Sequence, residues 1–307
     1  SELPEPTTPG SEAESEELGI APAADAVFSL NYSSGQSLNP YATNDLNNIL
    51  ISQLVCDNIY ELDDDYNLTS RVIADYEVSN GTYWTFTVKE GIPMHDGSTL
   101  TAYDLAYSIS LARRTSRYSG RFLCLYGVSA SSETTFHVST TRANTLLPYL
   151  LTVPIVKDGS ASQTRPVSCG PYRYVEGQDY VEAFEGYGRS MPVDRIYFRE
   201  YSGAEQIITA FEDSYIDLVL NDSSSSANLG YGGNNETRWY HTTNMHYFGF
   251  NMSSELLSNA AVRGALAYAV DREAAADTYM QGAAIASALP ISPLSPLYNE
   301  QIAASLD

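Results

Sequence analysis

Apolar residues recur along this chain at two spacings. Residues 82–89 alternate, with Trp84, Phe86 and Val88 on one face and threonines between them, the period of a half-buried strand. The same reading gives strands at 27–32, 134–140, 180–184, 195–201 and 239–251, and a short buried strand at 216–220. Helical spacing appears at 44–60, where Ile49, Leu50, Leu54 and Ile59 are apolar, at 143–151 and at 204–215. Thr101 and Asp104 form a capping pattern ahead of a helix whose buried stripe is Ala102, Leu105, Ala106 and Ile109. A further helix starts after Ser258 as N-cap, with Val262, Ala265, Leu266, Ala269 and Val270 on one stripe. Strands alternating with helices predict an α/β architecture. Residues 221–235 read as a polar loop rich in Ser and Gly.

Composition narrows the function. The 307 residues have room for two compact domains. A net charge of −22 excludes phosphate-backbone binding, which needs a basic surface. No nucleic-acid partner is expected. Residues 1–25 carry seven acids and no Lys or Arg, so they read as a disordered tether. The longest apolar run, 145–156, is short and broken by Pro148 and Pro154, which argues against a membrane span. The chain starts with Ser and shows no signal peptide, as a trimmed exported protein would. Cys56, Cys124 and Cys169 lack Cys-x-x-Cys spacing. They read as three buried or half-buried thiols, with one disulfide and an odd thiol as the alternative.

Candidate chemistry is sparse. Asp63-Asp64-Asp65 lacks the Gly and distal Glu of a calcium loop and reads as a solvated turn. His241 and His246 are five apart on the expected strand and point to opposite faces. His95-Asp96 looks like a dyad, but it sits in a tight turn before Gly97. No nucleophile elbow, zinc motif or phosphate loop occurs. We therefore expect no catalytic residues, metal or cofactor, and no enzyme. A basic aromatic stretch, Arg113-Arg114-Thr-Ser-Arg117-Tyr118, and a total of 24 Tyr stand out. Such rings line clefts and interfaces as well as packing half-buried.

Five segments, in order, resemble one family. They are Leu38-Asn39-Pro40-Tyr41; the strand-turn-helix run from Trp84 through His95-Asp96-Gly97 to Ser108; Gly170-Pro171-Tyr172; Phe211-Glu-Asp-Ser-Tyr-Ile-Asp217; and the unit from Tyr247-Phe-Gly-Phe-Asn251 through Val262-Arg-Gly-Ala-Leu-Ala-Tyr-Ala-Val-Asp-Arg272. Asn39 and Ser214 depart from the usual Asp and Gly. The pattern is similar to that of the family 5 extracytoplasmic solute-binding proteins of peptide-type ABC transporters.

The resemblance implies an α/β fold of the type II periplasmic-binding-protein kind, with mixed sheets and an incomplete second large lobe. By the same resemblance, residues 1–24 are an acidic linker, 25–44 and 167–276 the first large lobe, 45–166 a small inserted lobe, and 277–307 the start of a truncated second large lobe. It implies a receptor that binds peptides or a similar small solute between lobes and delivers it to permease subunits. Lobe closure is the expected motion, and main-chain hydrogen bonds hold the peptide. The implied ligand contacts are Ser33, Ser34, Gly35, Tyr118, Phe248, Phe250 and Asn251, while Arg263 and Asp271-Arg272 fix their helix. The receptor would be a monomer, at the cell surface as a lipoprotein or in the periplasm, with the lipid anchor outside this chain. Peptide binders of the family carry the carboxylate for the ligand's amino terminus beyond the matched region, so weak or absent binding is expected of this chain as it stands. A secreted hydrolase, or a sensor or adhesin without transport, are the alternatives.

Overall fold

The computed structural model describes residues 27–306 apart from Asp64, 222–234, His241, Thr243 and Gln281. The acidic linker, most of the polar 221–235 loop and His241 therefore lie outside the described residues. Contacts divide the chain into one unit spanning 19–220 and another comprising 1–18 and 221–307.

The 19–220 unit contains two four-stranded sheets. The first is built from β1 (Phe28–Asn31), β8 (Tyr172–Tyr174), β9 (Tyr180–Ala183) and β10 (Arg195–Arg199) in the order β1-β10-β9-β8. It is mixed: β1 runs parallel to β10, and the other pairs are antiparallel. A small ribbon pairs β2 (Glu61–Leu62) with β3 (Leu68–Thr69). The second large sheet is wholly antiparallel, β4 (Ile73–Ser79), β5 (Tyr83–Val88), β7 (Thr135–Thr140) and β6 (Leu125–Ala130), in that order.

Each sheet has its own core. On the second, Trp84, Phe86 and Val88 are buried as their alternation predicts, opposite Phe136 and Val138. Phe86 and Phe136 are register partners with rings stacked 4.8 Å apart, a cross-strand aromatic pair. Helix α2 (Ala102–Ala112) lays Leu105, Ile109 and Ala112 on this core. Its start is a capping box: Asp104 accepts from the Thr101 backbone N–H at 2.8 Å and from its hydroxyl at 2.7 Å. On the first sheet, α1 (Leu46–Val55) buries Ile51 and Val55 against Leu30, Val181 and Phe198.

Several expected elements differ. The 44–60 helix is shorter, capped by Asp45 and ended at Val55, because residues beyond Cys56 turn extended and pair with another segment. The 143–151 helix shrinks to one turn, α4 (Leu147–Leu150), after α3 (Ser116–Ser119). Asn144 Oδ1 accepts from the Leu146 N–H at 3.0 Å, and the Thr140 hydroxyl donates to the carbonyl of Arg142 at 2.7 Å. Those side chains compete with helical bonds. Residues 216–220 form a single parallel bridge, Leu30 to Leu218, instead of a strand. Helix α5 spans Ala204–Glu212.

The 221–307 unit holds α6 (Ala260–Tyr268), α7 (Arg272–Thr278) and α8 (Glu300–Leu306). The N-cap of α6 is Asn259, one residue later than expected, accepting from Ala261 N–H at 2.9 Å. Arg263 donates to the carbonyls of Leu257 and Ser258 at 2.8 and 2.9 Å, which ties the helix to its entry turn. Asp271 caps α7. The described part of 239–251 is not a strand. A strand exists only by pairing, and among the described residues this unit offers no strand to pair with.

Replacing Phe86 with Ala should cost about 3–5 kcal/mol, measured by chemical denaturation. Tyr83→Ala, on the exposed side of the same strand, should cost under about 1 kcal/mol. Equal losses would show that the ring stack is not the core of this sheet.

Candidate functional site

The two sheets of the 19–220 unit are joined where chain segments cross between them. Residues 57–59 run beside 153–155: Asn58 bridges Pro154, Ile59 N–H donates to Val153 O at 3.0 Å, and Ile155 N–H donates to Asp57 O at 2.8 Å. Gly170 N–H donates to Val55 O at 3.0 Å. A Cβ at Gly170 would lie 2.4 Å from that same oxygen, so only glycine permits the approach.

A buried carboxylate sits at this crossing. Asp57 receives the Arg71 Nε–H and, at 3.3 Å, the Tyr187 hydroxyl. Arg71 also donates to Cys169 O at 2.5 Å and lies 4.5 Å over the Tyr187 ring. Burial pushes the Asp57 carboxyl above its ordinary range, and Arg71 opposes the shift.

His95 belongs to the same crossing. Its backbone N–H donates to Ser168 O at 2.9 Å, and its Nε2 lies 3.0 Å from Gly170 O. A carbonyl can only accept, so Nε2 carries the proton. The ring meets Phe184 edge-on at 4.8 Å. Burial pulls the His95 pKa down to about 4, against the Gly170 hydrogen bond and with help from the Arg173 charge. Asp96 turns away to Lys157 and Ser98; these bonds outweigh its partial burial and hold it at about 2. His95 and Asp96 therefore pair with different partners and form no acid–base dyad.

The turn Ser33-Ser34-Gly35 follows β1. Asn48 Oδ1 accepts from Ser33 N–H at 2.9 Å, and its amide donates to the carbonyls of Ser33, Gln36 and Ser37. The Ser33 hydroxyl bonds Asp45 at 2.8 Å, and Ser34 donates twice to Glu200. Gly35 is exposed, with open space around it. The chain then passes through Asn39, whose buried amide donates to Gln163 O at 3.0 Å and Ala161 O at 3.3 Å. A carboxylate cannot make those bonds, which accounts for Asn at this position. Tyr41 meets Tyr118 edge-on at 5.7 Å. Tyr118 is only 7% exposed. Its ring lies 5.6 Å from the Arg117 guanidinium carbon and 5.5 Å from that of Arg121. Tyr41 thus connects the turn segment to Tyr118 within one unit.

Phe248, Phe250 and Asn251 lie in the 221–307 unit. Phe248 is 79% exposed and Phe250 half-buried, while Asn251 accepts from the N–H groups of Ser253 and Ser254. Asp57, Arg71 and Tyr187, which hold the crossing, carried no signal in the sequence; the Arg71-to-Asp57 separation follows no motif.

Residues 67–305 match the profile of the bacterial extracellular solute-binding proteins, family 5, middle region. The chain belongs to this family. It is 24% identical over 286 residues to the oligopeptide-binding protein AppA of Bacillus subtilis, covering 85% of this chain and 52% of AppA. It is 29% identical over 147 residues to heme-binding protein A of Haemophilus influenzae, covering 45% of this chain and 26% of that protein. The chain thus spans about half, or less, of the length of these curated relatives. The structure of AppA in complex with a nonapeptide superposes with a TM-score of 0.58 at 18% identity, over 92% of this chain and 63% of AppA. NikZ from Campylobacter jejuni, in complex with Ni(L-His), gives 0.55 at 17% identity, over 91% and 62%. These likenesses establish the type II periplasmic-binding-protein fold. The family is one of extracytoplasmic solute binders, not enzymes. Among the described residues no helix is long and apolar enough to cross a membrane.

Two outcomes follow for the crossing. Arg71→Met should destabilise the family member by about 3 kcal/mol by leaving Asp57 buried and unpaired, and Asp57→Asn added to it should recover part of the loss. No recovery in the double variant would remove the carboxylate from the explanation. His95 is harder to protonate folded than unfolded, so its contribution is present above about pH 6.5 and is lost as pH falls toward about 4. The full shift is on the order of 3 kcal/mol. Equilibrium unfolding of His95→Gln should therefore vary less with pH across that window than the parent protein does; parallel curves would contradict the burial of a neutral imidazole.

Proposed function

We propose that this chain is the ligand-holding amino-terminal part of an extracytoplasmic receptor that captures peptides, or a similar small solute, for an ABC-transporter permease. The observation that carries the reading is the alignment with an oligopeptide-binding protein across 85% of the chain. Its lobes would be 25–44 with 167–276, and 45–166, with 277–307 opening a second large lobe. The first sheet draws its strands from 28–31 and 172–199, the second from 73–140, which is consistent with that division. The crossing of 55–59 against 153–155 and 170 would serve as the hinge.

In this reading the exposed Gly35 backbone offers hydrogen bonds to an extended ligand, in the manner of an added strand. Tyr118, its ring held by Tyr41 and two arginines, presents its hydroxyl, which has no hydrogen-bond partner among the described residues. Ser33 and Ser34 position the turn. The receptor works as a monomer, held to the membrane by a lipid anchor or free in a periplasm. Relatives named for an oligopeptide, heme and a nickel–histidine complex mean that one fold accepts unlike guests, so the ligand is set by local side chains.

Isothermal titration with a mixture of nonapeptides tests this. Saturable binding is expected, weakened about five- to tenfold in Tyr118→Phe, the loss of one hydrogen bond. That variant keeps the ring packing. No peptide binding, together with mass spectrometry finding a co-purified solute that contains no peptide bond, would refute the peptide assignment.

A further inference from the structure

The acidic chain has one basic region. Between residues 105 and 157 five Arg and one Lys face a single acid, Glu133, in a sequence with 38 acids and 16 bases overall. Two of those arginines line a surface cleft of about 490 Å³ beside β6, with Gly120, Cys124, Asn144 and Leu150 among the other walls. No Asp or Glu lines it. We infer that this cleft binds an oxyanion, a carboxylate or phosphate group of a small ligand, between Arg121 and Arg142.

Arg121 is set in place in advance. Its Nη1 donates to Thr152 O at 3.2 Å and to Thr152 Oγ1 at 3.0 Å, and its guanidinium lies 5.5 Å from the Tyr118 ring. Nε and Nη2 have no protein partner among the described residues, which leaves one edge of the fork for a ligand. Arg142 is exposed and takes part in none of the ion pairs among the described residues. Asn144 is held from three sides: its N–H donates to Gly81 O at 3.1 Å, its Oδ1 accepts from Leu146 N–H, and its Nδ2 donates to the Cys124 thiol at 3.6 Å. The second Nδ2 proton remains as a neutral donor at the wall. A chain of −22 repels anions from most directions. A local excess of arginine in a concave, acid-free site is what lets one approach.

Titration calorimetry of this chain with inorganic phosphate and, separately, with succinate tests the site. It is run at about 10 mM ionic strength, where the Debye length is about 30 Å, and at about 1 M, where it is about 3 Å. Millimolar saturable binding of at least one anion is expected at low salt, weakened at high salt. Arg142→Gln should weaken it at least tenfold and Arg142→Lys less, while Arg114→Gln, a neighbouring arginine outside the cleft, should leave it unchanged. Unfolding midpoints check that each variant is folded. Tighter phosphate assigns a phosphate-bearing ligand, and tighter succinate a carboxylate; either supports the site. No saturable heat from both anions, or Arg142→Gln and Arg114→Gln behaving alike, overturns it. The peptide reading is tested separately, by the nonapeptide titration and by mass spectrometry of the co-purified solute.

Discussion

A carboxylate taken out of water needs partners, and Asp57 has them from two other parts of the chain. Arg71 arrives from the segment between β3 and β4, and Tyr187 from beyond β9. Arg71 then reaches on to Cys169 O, beside the glycine that touches Val55 O. An isolated buried charge is strongly unfavourable, so these segments are committed to one arrangement where the two sheets meet. His95 adds a neutral brace from the turn after β5. Each group separately is an ordinary contact. Together they fix where one sheet's strands end relative to the other's.

The central strands were legible because burial imposes a period. Trp84, Phe86 and Val88 alternate with threonine since one face of β5 is core and the strand has neighbours on both sides. Edge strands β4 and β6 show no such alternation. After Ile73 every residue of β4 is exposed, and nothing in its pattern marks it. The capping box at Thr101 was readable because both partners are three residues apart. The Asp57 cluster was not, since its members are brought together only by the fold. The misread 143–151 helix has the right apolar content; Asn144 and Thr140, whose side chains divert backbone groups, decide otherwise. For the site, the Ser33–Gly35 turn and Tyr118 were found through a likeness to a family. The basic cleft combines a visible run, Arg113 to Arg121, with Arg142, which only the β6–β7 hairpin brings near.

The family motifs acquire physical content at the crossing. The His-Asp-Gly turn and the Gly-Pro-Tyr turn are far apart in sequence, yet His95 holds Ser168 and Gly170 directly. Asp96 meanwhile pairs with Lys157 on the other side of the turn. What resembles a catalytic pair is two braces facing different ways. All three thiols are free, and Cys56 and Cys169 are buried. Burial raises both, Cys56 to about 12, so they pack as small apolar groups.

Asn39 carries a chemical safeguard in its neighbour. Its amide nitrogen ties the 38–41 corner to residues 161 and 163, and hydrolysis to a carboxylate would replace two donors with a repelled charge. Spontaneous loss of an asparagine amide proceeds through attack by the following backbone nitrogen. Here that nitrogen belongs to Pro40, which has no hydrogen to give up. The corner is therefore shielded from the slow damage that ages other asparagines, a useful property in a family of extracellular proteins, beyond the reach of a cell's repair.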